Sequence, residues 1–127
     1  MTVNIADGII NFITKNELHI PIGKPFEIDT NTIINIPDNM VMIISSDKYT
    51  AQYYGVYVNP SPLIISSNET DKNIVIPVSW DGIDRWGVVS FLHDYAYCVK
   101  LPVNTCIAKA VLVSVSQYCH IADANEE

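Results

Sequence analysis

The residues of this chain best suited to chemistry lie between Trp80 and Trp86, where the sequence reads Trp-Asp-Gly-Ile-Asp-Arg-Trp. Two indole rings around a polar loop can stack on a base or a sugar. The same rings can instead anchor the loop to the core or to a neighbouring subunit. We place the binding surface of the protein on this loop, and its candidate residues are Trp80, Asp81, Asp84, Arg85 and Trp86.

The other reactive side chains match no catalytic or metal-binding pattern. His93 and Asp94 could form an imidazole base with its orienting carboxylate, but they are adjacent, and no G-x-S-x-G motif accompanies them. Cys98, Cys106 and the Cys119–His120 pair have spacings that fit no zinc finger or knuckle. The sequence Asn68–Thr70 fits a glycosylation sequon and reads as a turn. We therefore predict no catalytic residue, no metal ligand and no cofactor.

The charge and the apolar content of the chain restrict its partners. The chain has 7 Lys and Arg against 14 Asp and Glu, and its net charge of −7 disfavours binding to nucleic acid or to anionic membranes. Apolar residues make up 49% and charged residues 17%, so we expect a homo-oligomer that buries apolar surface between subunits. The three cysteines fit no disulfide framework, and the N-terminus is unlike a signal peptide. Both features predict an intracellular protein.

The stretch from Cys98 to Val115 carries the clearest signal for the fold. It reads as strand, turn, strand, with the turn at Leu101–Thr105, where Pro restricts φ and Asn tolerates tight backbone geometry. The run from Ile107 to Val115 is apolar, and β-branched residues recur in it at period two. We predict a central β-strand over this run.

Short alternating segments, with turn signals about every eight to twelve residues, fill the rest of the chain. This pattern predicts a single all-β domain over the whole chain, a sandwich or barrel with little helix. We expect a strand at Tyr53–Val58, and an edge strand at Ile74–Trp80 because Pro77 lacks an N–H for a central ladder. Residues from about 1 to 16 read as an edge strand or arm, and residues from about 121 to 127 as a frayed acidic tail.

Three segments resemble, in their order, the trimeric dUTPase family. Ile28–Ile44 resembles the strand pair in which an Ile-Pro turn precedes the second motif of that family. Tyr53–Val58 resembles the run around a Gly that leads to the nucleotide pocket, and Ile107–Lys109 resembles the Ile-Ala-Gln strand near the end of the barrel. The resemblance implies a jelly-roll-like, β-clip fold of the dUTPase type, assembled as a homotrimer.

The family resemblance also implies where catalytic residues would lie. In that family a carboxylate activates water for attack on the α-phosphate, magnesium binds the phosphates, and Arg, Ser and Gln side chains hold them. Carried onto this sequence, the catalytic Asp falls on Ile64, the Tyr that stacks on the sugar on Ser67, and the Gln on Lys109. The Arg-Ser pair of the second motif falls near Ser45 and Ser46. The matched positions are Ser45, Ser46, Gly55, Ile64, Ser67 and Lys109.

Isoleucine cannot activate water, and Glu69 and Asp71 are the carboxylates nearest to Ile64 along the chain. The resemblance therefore implies a dUTPase-like fold without the activity, of a kind that viruses and phages keep for protein binding. We predict a non-catalytic viral homotrimer that binds an unidentified protein partner in the cytoplasm or nucleus of the host. Two alternatives stay open: a divergent nucleotide pyrophosphatase that would need magnesium, and a structural head or decoration domain of a virus particle.

Overall fold

The computed structural model of the chain describes residues 1–67, 72–85, 89–91 and 97–115. Antiparallel strands dominate this part of the molecule. In chain order the elements are β1 (Thr2–Ala6), β2 (Ile9–Ile13), β3 (Leu18–Pro21), β4 (Phe26–Asp29), β5 (Met40–Ser46), α1 (Lys48–Tyr54), β6 (Val56–Val58), β7 (Leu63–Ser66), β8 (Val75–Trp80), β9 (Val89–Phe91), β10 (Tyr97–Leu101) and β11 (Cys106–Ser114).

The strands form three sheets that share one apolar core. The largest sheet has the order β1-β2-β11-β5-β7, and the two smaller sheets have the orders β3-β10-β9 and β4-β8-β6. Side chains alternate across each strand, so every sheet presents one apolar face to the interior. The largest fully buried side chains come from all three sheets and include Phe12, Ile20, Met42, Ile44, Ile76 and Leu101. The prediction of an all-β domain with little helix is confirmed.

The central strand predicted for the end of the chain is present. β11 lies between β2 and β5, and its residues Val111 and Leu112 pair with Ile43 and Met42. The strand before it, β10, belongs to a different sheet, so the turn between β10 and β11 carries the chain from one sheet to another.

Buried Thr14 holds that turn in place. Its hydroxyl donates to the carbonyl of Pro102 at 2.9 Å and accepts from the N–H of Thr105 at 2.9 Å. Its backbone N–H donates to the carbonyl of Thr105, and its own carbonyl accepts from the N–H of Asn104, both at 2.9 Å. These four bonds satisfy the polar groups of a turn that crosses between sheets, where no ladder could satisfy them.

The N-terminal segment forms a hairpin within the large sheet. Among the described strands β1 pairs only with β2, and it lies at the edge of the large sheet. Asp7 and Gly8 connect the two strands with φ values of 53° and 76°, which is the backbone of a type I′ turn. Ile10 and Phe12 of β2 are buried in the core, so the second half of this segment is an inner strand of the sheet.

Pro77 lies in the middle strand of its sheet, so the prediction of an edge strand at Ile74–Trp80 is wrong. β8 pairs with β4 on one side and with β6 on the other. The N–H of Asn59, just past the end of β6, donates to the carbonyl of Pro77 at 2.9 Å. In an antiparallel pair, an N–H at position 77 would donate to the carbonyl of Asn59. The hydrogen bond that Pro77 cannot make therefore lies at the end of the β6–β8 ladder.

A helix replaces part of the strand that was predicted at Tyr53–Val58. That prediction is wrong for Tyr53 and Tyr54, which end α1, and right from Val56, where β6 begins. The carboxylate of Asp47 accepts from the N–H of Thr50 at 2.9 Å and caps the start of α1. Gly55 ends α1 with φ of 73°, and its N–H donates to the carbonyl of Ala51. Among the described residues, no helix is both long and apolar enough to cross a membrane.

Candidate functional site

The predicted binding loop begins at the buried end of β8. Trp80 is only 4% exposed, it pairs with Val56 of β6, and it forms a parallel bridge with Ile22, just after β3. Its indole N–H is shielded from solvent and has no hydrogen-bond acceptor among the described residues. The ring therefore anchors the loop to the core, which was the alternative to stacking on a base or a sugar. Its N–H is left without a hydrogen bond.

A two-bonded ion pair closes the loop on itself. The guanidinium of Arg85 donates from Nη1 to Oδ1 of Asp81 at 2.9 Å and from Nη2 to Oδ2 at 2.6 Å. The same Oδ1 accepts from the N–H of Ile83 at 3.0 Å. The hydrogen bond from Arg85 lowers the pKa of Asp81, and partial burial opposes this effect. The guanidinium of Arg85 is therefore paired with Asp81, and the hydrogen bond to Asp81 raises the pKa of Arg85.

The ion pair lies against the end of α1 at Gly55. The N–H of Asp81 donates to the carbonyl of Gly55 at 3.0 Å. A Cβ added to Gly55 would overlap both Nη1 of Arg85 and Oδ1 of Asp81. Gly55 is thus a family-matched position that the structure brings into contact with the predicted binding loop.

An open cleft of about 250 Å³ lies beside Trp80. Its walls come from the end of β3, the end of β8, the loop after β8, and the start of β10. The lining residues are Ile22, Trp80, Gly82, Asp84 and Tyr97. The loop thus contributes Asp84 to this cleft and uses Asp81 and Arg85 to shape its backbone. Trp86, the fifth candidate, lies outside the described residues.

The matched positions at the end of β5 have structural partners. The hydroxyl of Ser46 accepts from the N–H of Val58 at 2.9 Å and so ties β5 to β6. Ser45 pairs across the sheet with Lys109 of β11. Nζ of Lys109 lies 3.7 Å from Oδ1 of Asp47, the carboxylate that caps α1. Ser46 and Lys109 thus each have a polar partner within the fold.

Ile64 lies at a second cleft, of about 230 Å³, between β7 and the start of β8. Its side chain is 55% exposed. The described residues that line this cleft include one charged group, the ammonium of Lys72, and no carboxylate; they are Leu63, Ile64, Ile65, Lys72, Asn73, Ile74 and Val75. The hydroxyl of Ser67 donates to the carbonyl of Asp38 at 3.4 Å. Glu69 and Asp71 lie outside the described residues.

The described cysteines do not form a metal site. Cys98 is buried, and burial raises the pKa of the half-buried Cys106 thiol to about 11. No three His, Cys, Asp or Glu side chains cluster in a metal-binding arrangement within the described part of the chain. His93, Asp94, Cys119, His120 and the sequon at Asn68 are outside the described residues.

Three lining residues of the cleft beside Trp80 were absent from the sequence-based candidates. Gly82 lies within the predicted loop, whereas Ile22 and Tyr97 lie outside it. These last two come from β-strand ends far from Trp80 along the chain, and the N–H of Ile22 donates to the carbonyl of Tyr97 at 3.0 Å. No local pattern marks them, because only the pairing of the strands brings them to the loop.

The described fold is that of dUTPases. The dUTPase of Staphylococcus bacteriophage 80alpha matches with a TM-score of 0.73 and 12% identity, over 100% of this chain and 90% of that one. EIAV dUTPase matches with a TM-score of 0.70 and 16% identity, over 98% and 93%. A mutant dUTPase from phage phi11 of S. aureus matches with a TM-score of 0.68 and 14% identity, over 94% and 84%.

No protein-family model matches the chain, and no curated protein matches its sequence. The structural matches confirm the dUTPase-type fold that the three short segments predicted. At these sequence identities the structural matches establish the fold. They do not establish an activity, which depends on the side chains of this chain.

We predict that Gly55→Ala destabilises the protein more than Gly8→Ala does. Both residues have left-handed backbone, with φ of 73° and 76°, so each added methyl group costs about 1 kcal/mol of strain. At Gly8 the added Cβ meets nothing, whereas at Gly55 it displaces the Asp81–Arg85 pair. Urea unfolding should show a loss of about 2–3 kcal/mol for Gly55→Ala. Equal losses for the two variants would contradict the close contact.

We also predict an acid-dependent contribution from Asp81. Because Arg85 lowers its pKa below the ordinary value of 3.8, the stabilisation is complete above that value and is lost as pH falls through the lower pKa of the folded state. The free energy of unfolding of the wild type should exceed that of Asp81→Asn at neutral pH. This difference should shrink below pH 3.8. Urea unfolding at a series of pH values measures it, and a constant difference down to pH 2 would refute the assignment.

Proposed function

We propose that this chain is a non-catalytic dUTPase-like protein that acts as a protein-binding module. The observation that carries the proposal is Ile64, an exposed apolar side chain at the position where the family resemblance places the carboxylate that activates water. A hydrocarbon side chain can neither accept a proton from water nor bind a metal ion.

Two further positions support the loss of hydrolysis. Lys109, matched to the Gln that holds phosphate, lies beside the carboxylate of Asp47. Ser46, matched to the second motif, uses its hydroxyl to hold the start of β6. Both side chains have structural partners in this chain, although the family resemblance would assign them to holding phosphate.

The loop from Trp80 to Arg85 is the proposed binding surface. A partner would meet a loop whose shape is set in advance, because Arg85 and Asp81 hold each other and Asp81 is bonded to Gly55. A loop ordered before binding loses less conformational freedom on association. Trp86 extends this surface in the sequence.

The structural matches supply context for a role outside hydrolysis. Phage dUTPases, including that of bacteriophage 80alpha, control the transfer of virulence genes by a mechanism described as like that of a proto-oncogenic G protein. A phage dUTPase fold can therefore have a regulatory role. By analogy we propose a viral or phage origin and an intracellular site of action for this chain.

We propose further that the protein is a homotrimer. The dUTPase family resemblance implies three subunits, and the exposed apolar residues of this chain support self-association. Val111, Leu112 and Val113 of β11 are each more than one-third exposed, as is Val115 beyond it. Burial of such residues between subunits would also account for the high apolar content of so short a chain.

The second candidate function is a divergent nucleotide pyrophosphatase. It is favoured by the cleft beside Ile64, where Lys72 supplies a cation that could hold a phosphate group. It would require a carboxylate from another part of the chain, with Glu69 and Asp71 as the nearest in sequence.

We predict no release of pyrophosphate when the purified protein is incubated with magnesium and each deoxynucleoside triphosphate. An active trimeric dUTPase assayed in parallel provides the positive control. Release above the rate of a reaction without protein would reject the non-catalytic assignment and favour the pyrophosphatase. The Lys72→Ala variant should then lose that activity, while Lys24→Ala, on another loop, should keep it.

We predict a solution mass of about three times the 14.2 kDa of one chain. Light scattering coupled to size-exclusion chromatography measures this mass directly. Val113→Lys, which places a charge on the exposed face of β11, should lower it because burial of an unpaired charge opposes association. The same substitution at exposed Ile33, outside that face, is the matched control. A single-chain mass for the wild type would contradict the trimer.

A further inference from the structure

Two aspartates of this chain, Asp7 and Asp81, are each followed by a glycine. In an Asp-Gly pair the backbone nitrogen of the glycine can reach the side-chain carboxyl of the aspartate, because glycine has no Cβ to obstruct the approach. The two pairs have the same local chemistry, so the sequence does not distinguish them. Their surroundings in the structure are opposite.

The first pair is open to solvent. Asp7 and Gly8 are both exposed, and they form the turn that follows the last pair of the β1–β2 ladder, Ala6 with Ile9. Among the described residues, the carboxylate of Asp7 has no hydrogen-bond or ion-pair partner. A Cβ added to Gly8 would meet no atom within 4 Å. Neither bonding nor packing therefore holds the carboxyl group of Asp7 in place.

The strand beside this turn offers little resistance to a rearrangement. β1 lies at the edge of the large sheet, and its residue Ile5 is 70% exposed. Exposed edge segments open locally at a lower free energy than core strands do. The buried side chains of this hairpin, Ile10 and Phe12, belong to β2, so the turn can rearrange without exposing them.

The second pair is held by its neighbours. Both carboxylate oxygens of Asp81 accept from Arg85, at 2.9 Å and 2.6 Å, and Oδ1 also accepts from the N–H of Ile83. A Cβ added to Gly82 would overlap Cδ1 of Ile22, so the backbone here has no room to move. The hydrogen bond from Arg85 also lowers the pKa of Asp81 and so favours the ionised carboxylate, which is a poor electrophile.

We propose that Asp7 is a site of spontaneous covalent modification, at which the residue converts to isoaspartate through a cyclic imide with Gly8. The nitrogen of Gly8 attacks Cγ of Asp7, a C–N bond forms, and the carboxyl hydroxyl leaves as water with the amide proton. Water then opens the ring. Addition at the side-chain carbonyl restores aspartate, whereas addition at the main-chain carbonyl breaks its bond to the nitrogen of Gly8 and leaves isoaspartate.

The modification changes the connection between β1 and β2. Water is lost in the first step and regained in the second, so the mass of the chain is unchanged. Isoaspartate nevertheless adds one carbon atom to the main chain within a two-residue turn. A type I′ turn matches the twist of its flanking strands, and the added atom disrupts this match, so β1 should pair less tightly with β2. The modification does not depend on the proposed function, because it involves no partner.

Peptide mapping of the full-length protein after incubation at neutral pH tests the proposal. Trypsin cleavage after Lys15 releases Asp7, and cleavage after Lys72 and Arg85 releases Asp81, in separate peptides. Electron-transfer mass spectrometry distinguishes isoaspartate from aspartate in each. Isoaspartate should form at Asp7 about tenfold faster than at Asp81, because the bonds from Arg85 must break before Asp81 can react. Equal rates, or no isoaspartate at Asp7, would overturn the proposal.

Two matched measurements separate the effect of the fold from that of the sequence. In guanidinium chloride the protein is unfolded, and the two aspartates should react at similar rates. In the native protein, Arg85→Gln should raise the rate at Asp81 and leave the rate at Asp7 unchanged. If Asp7 still reacts about tenfold faster in the unfolded chain, or if Arg85→Gln leaves Asp81 as slow as before, the folded structure does not select the site and the proposal fails.

Discussion

The candidate site depends on the absence of a side chain at Gly55. This residue ends α1 in a left-handed conformation, and its carbonyl accepts from Asp81. The space that a side chain would fill is taken by the Asp81–Arg85 pair. One glycine therefore sets the position of the helix, the start of β6 and the loop after β8 relative to each other. Any other residue would have to move one of these three elements.

The fold of this protein does not by itself determine its chemistry. The sheets, the core and the order of the strands are those of a dUTPase-type domain, and they depend on alternating apolar side chains that many sequences can supply. Hydrolysis depends on a few polar groups at fixed places. At two of the positions that the family resemblance assigned to hydrolysis, this chain has the exposed side chain of Ile64 and, beside the helix cap, Lys109. The shared architecture therefore carries little information about activity.

The loop after β8 is held in place by its charged and aromatic side chains. Asp81 and Arg85 satisfy each other, and their ion pair gives the loop its shape. Its aromatic residue is buried at the end of a strand and keeps an unsatisfied donor. The loop is therefore held by an ion pair at one end and by a buried ring at the other.

Local sequence patterns correctly predicted the strands and turns that depend on short-range interactions. The strands β5 and β11 follow from apolar, β-branched runs, and the turn before β11 follows from Pro102 and Asn104. The helix α1 was missed although Asp47 and Gly55 are ordinary start and stop signals, because the aromatic residues between them also suit a strand.

The sequence by itself determined the all-β class and the position of the central strand. These features depend on residue type and on short-range periodicity. Only the tertiary structure decided that Pro77 lies in a middle strand, that Gly55 contacts the Asp81–Arg85 pair, and that distant strand ends join Trp80 in one cleft. The reason is that strand order and sheet pairing depend on long-range contacts, which no short window of sequence contains.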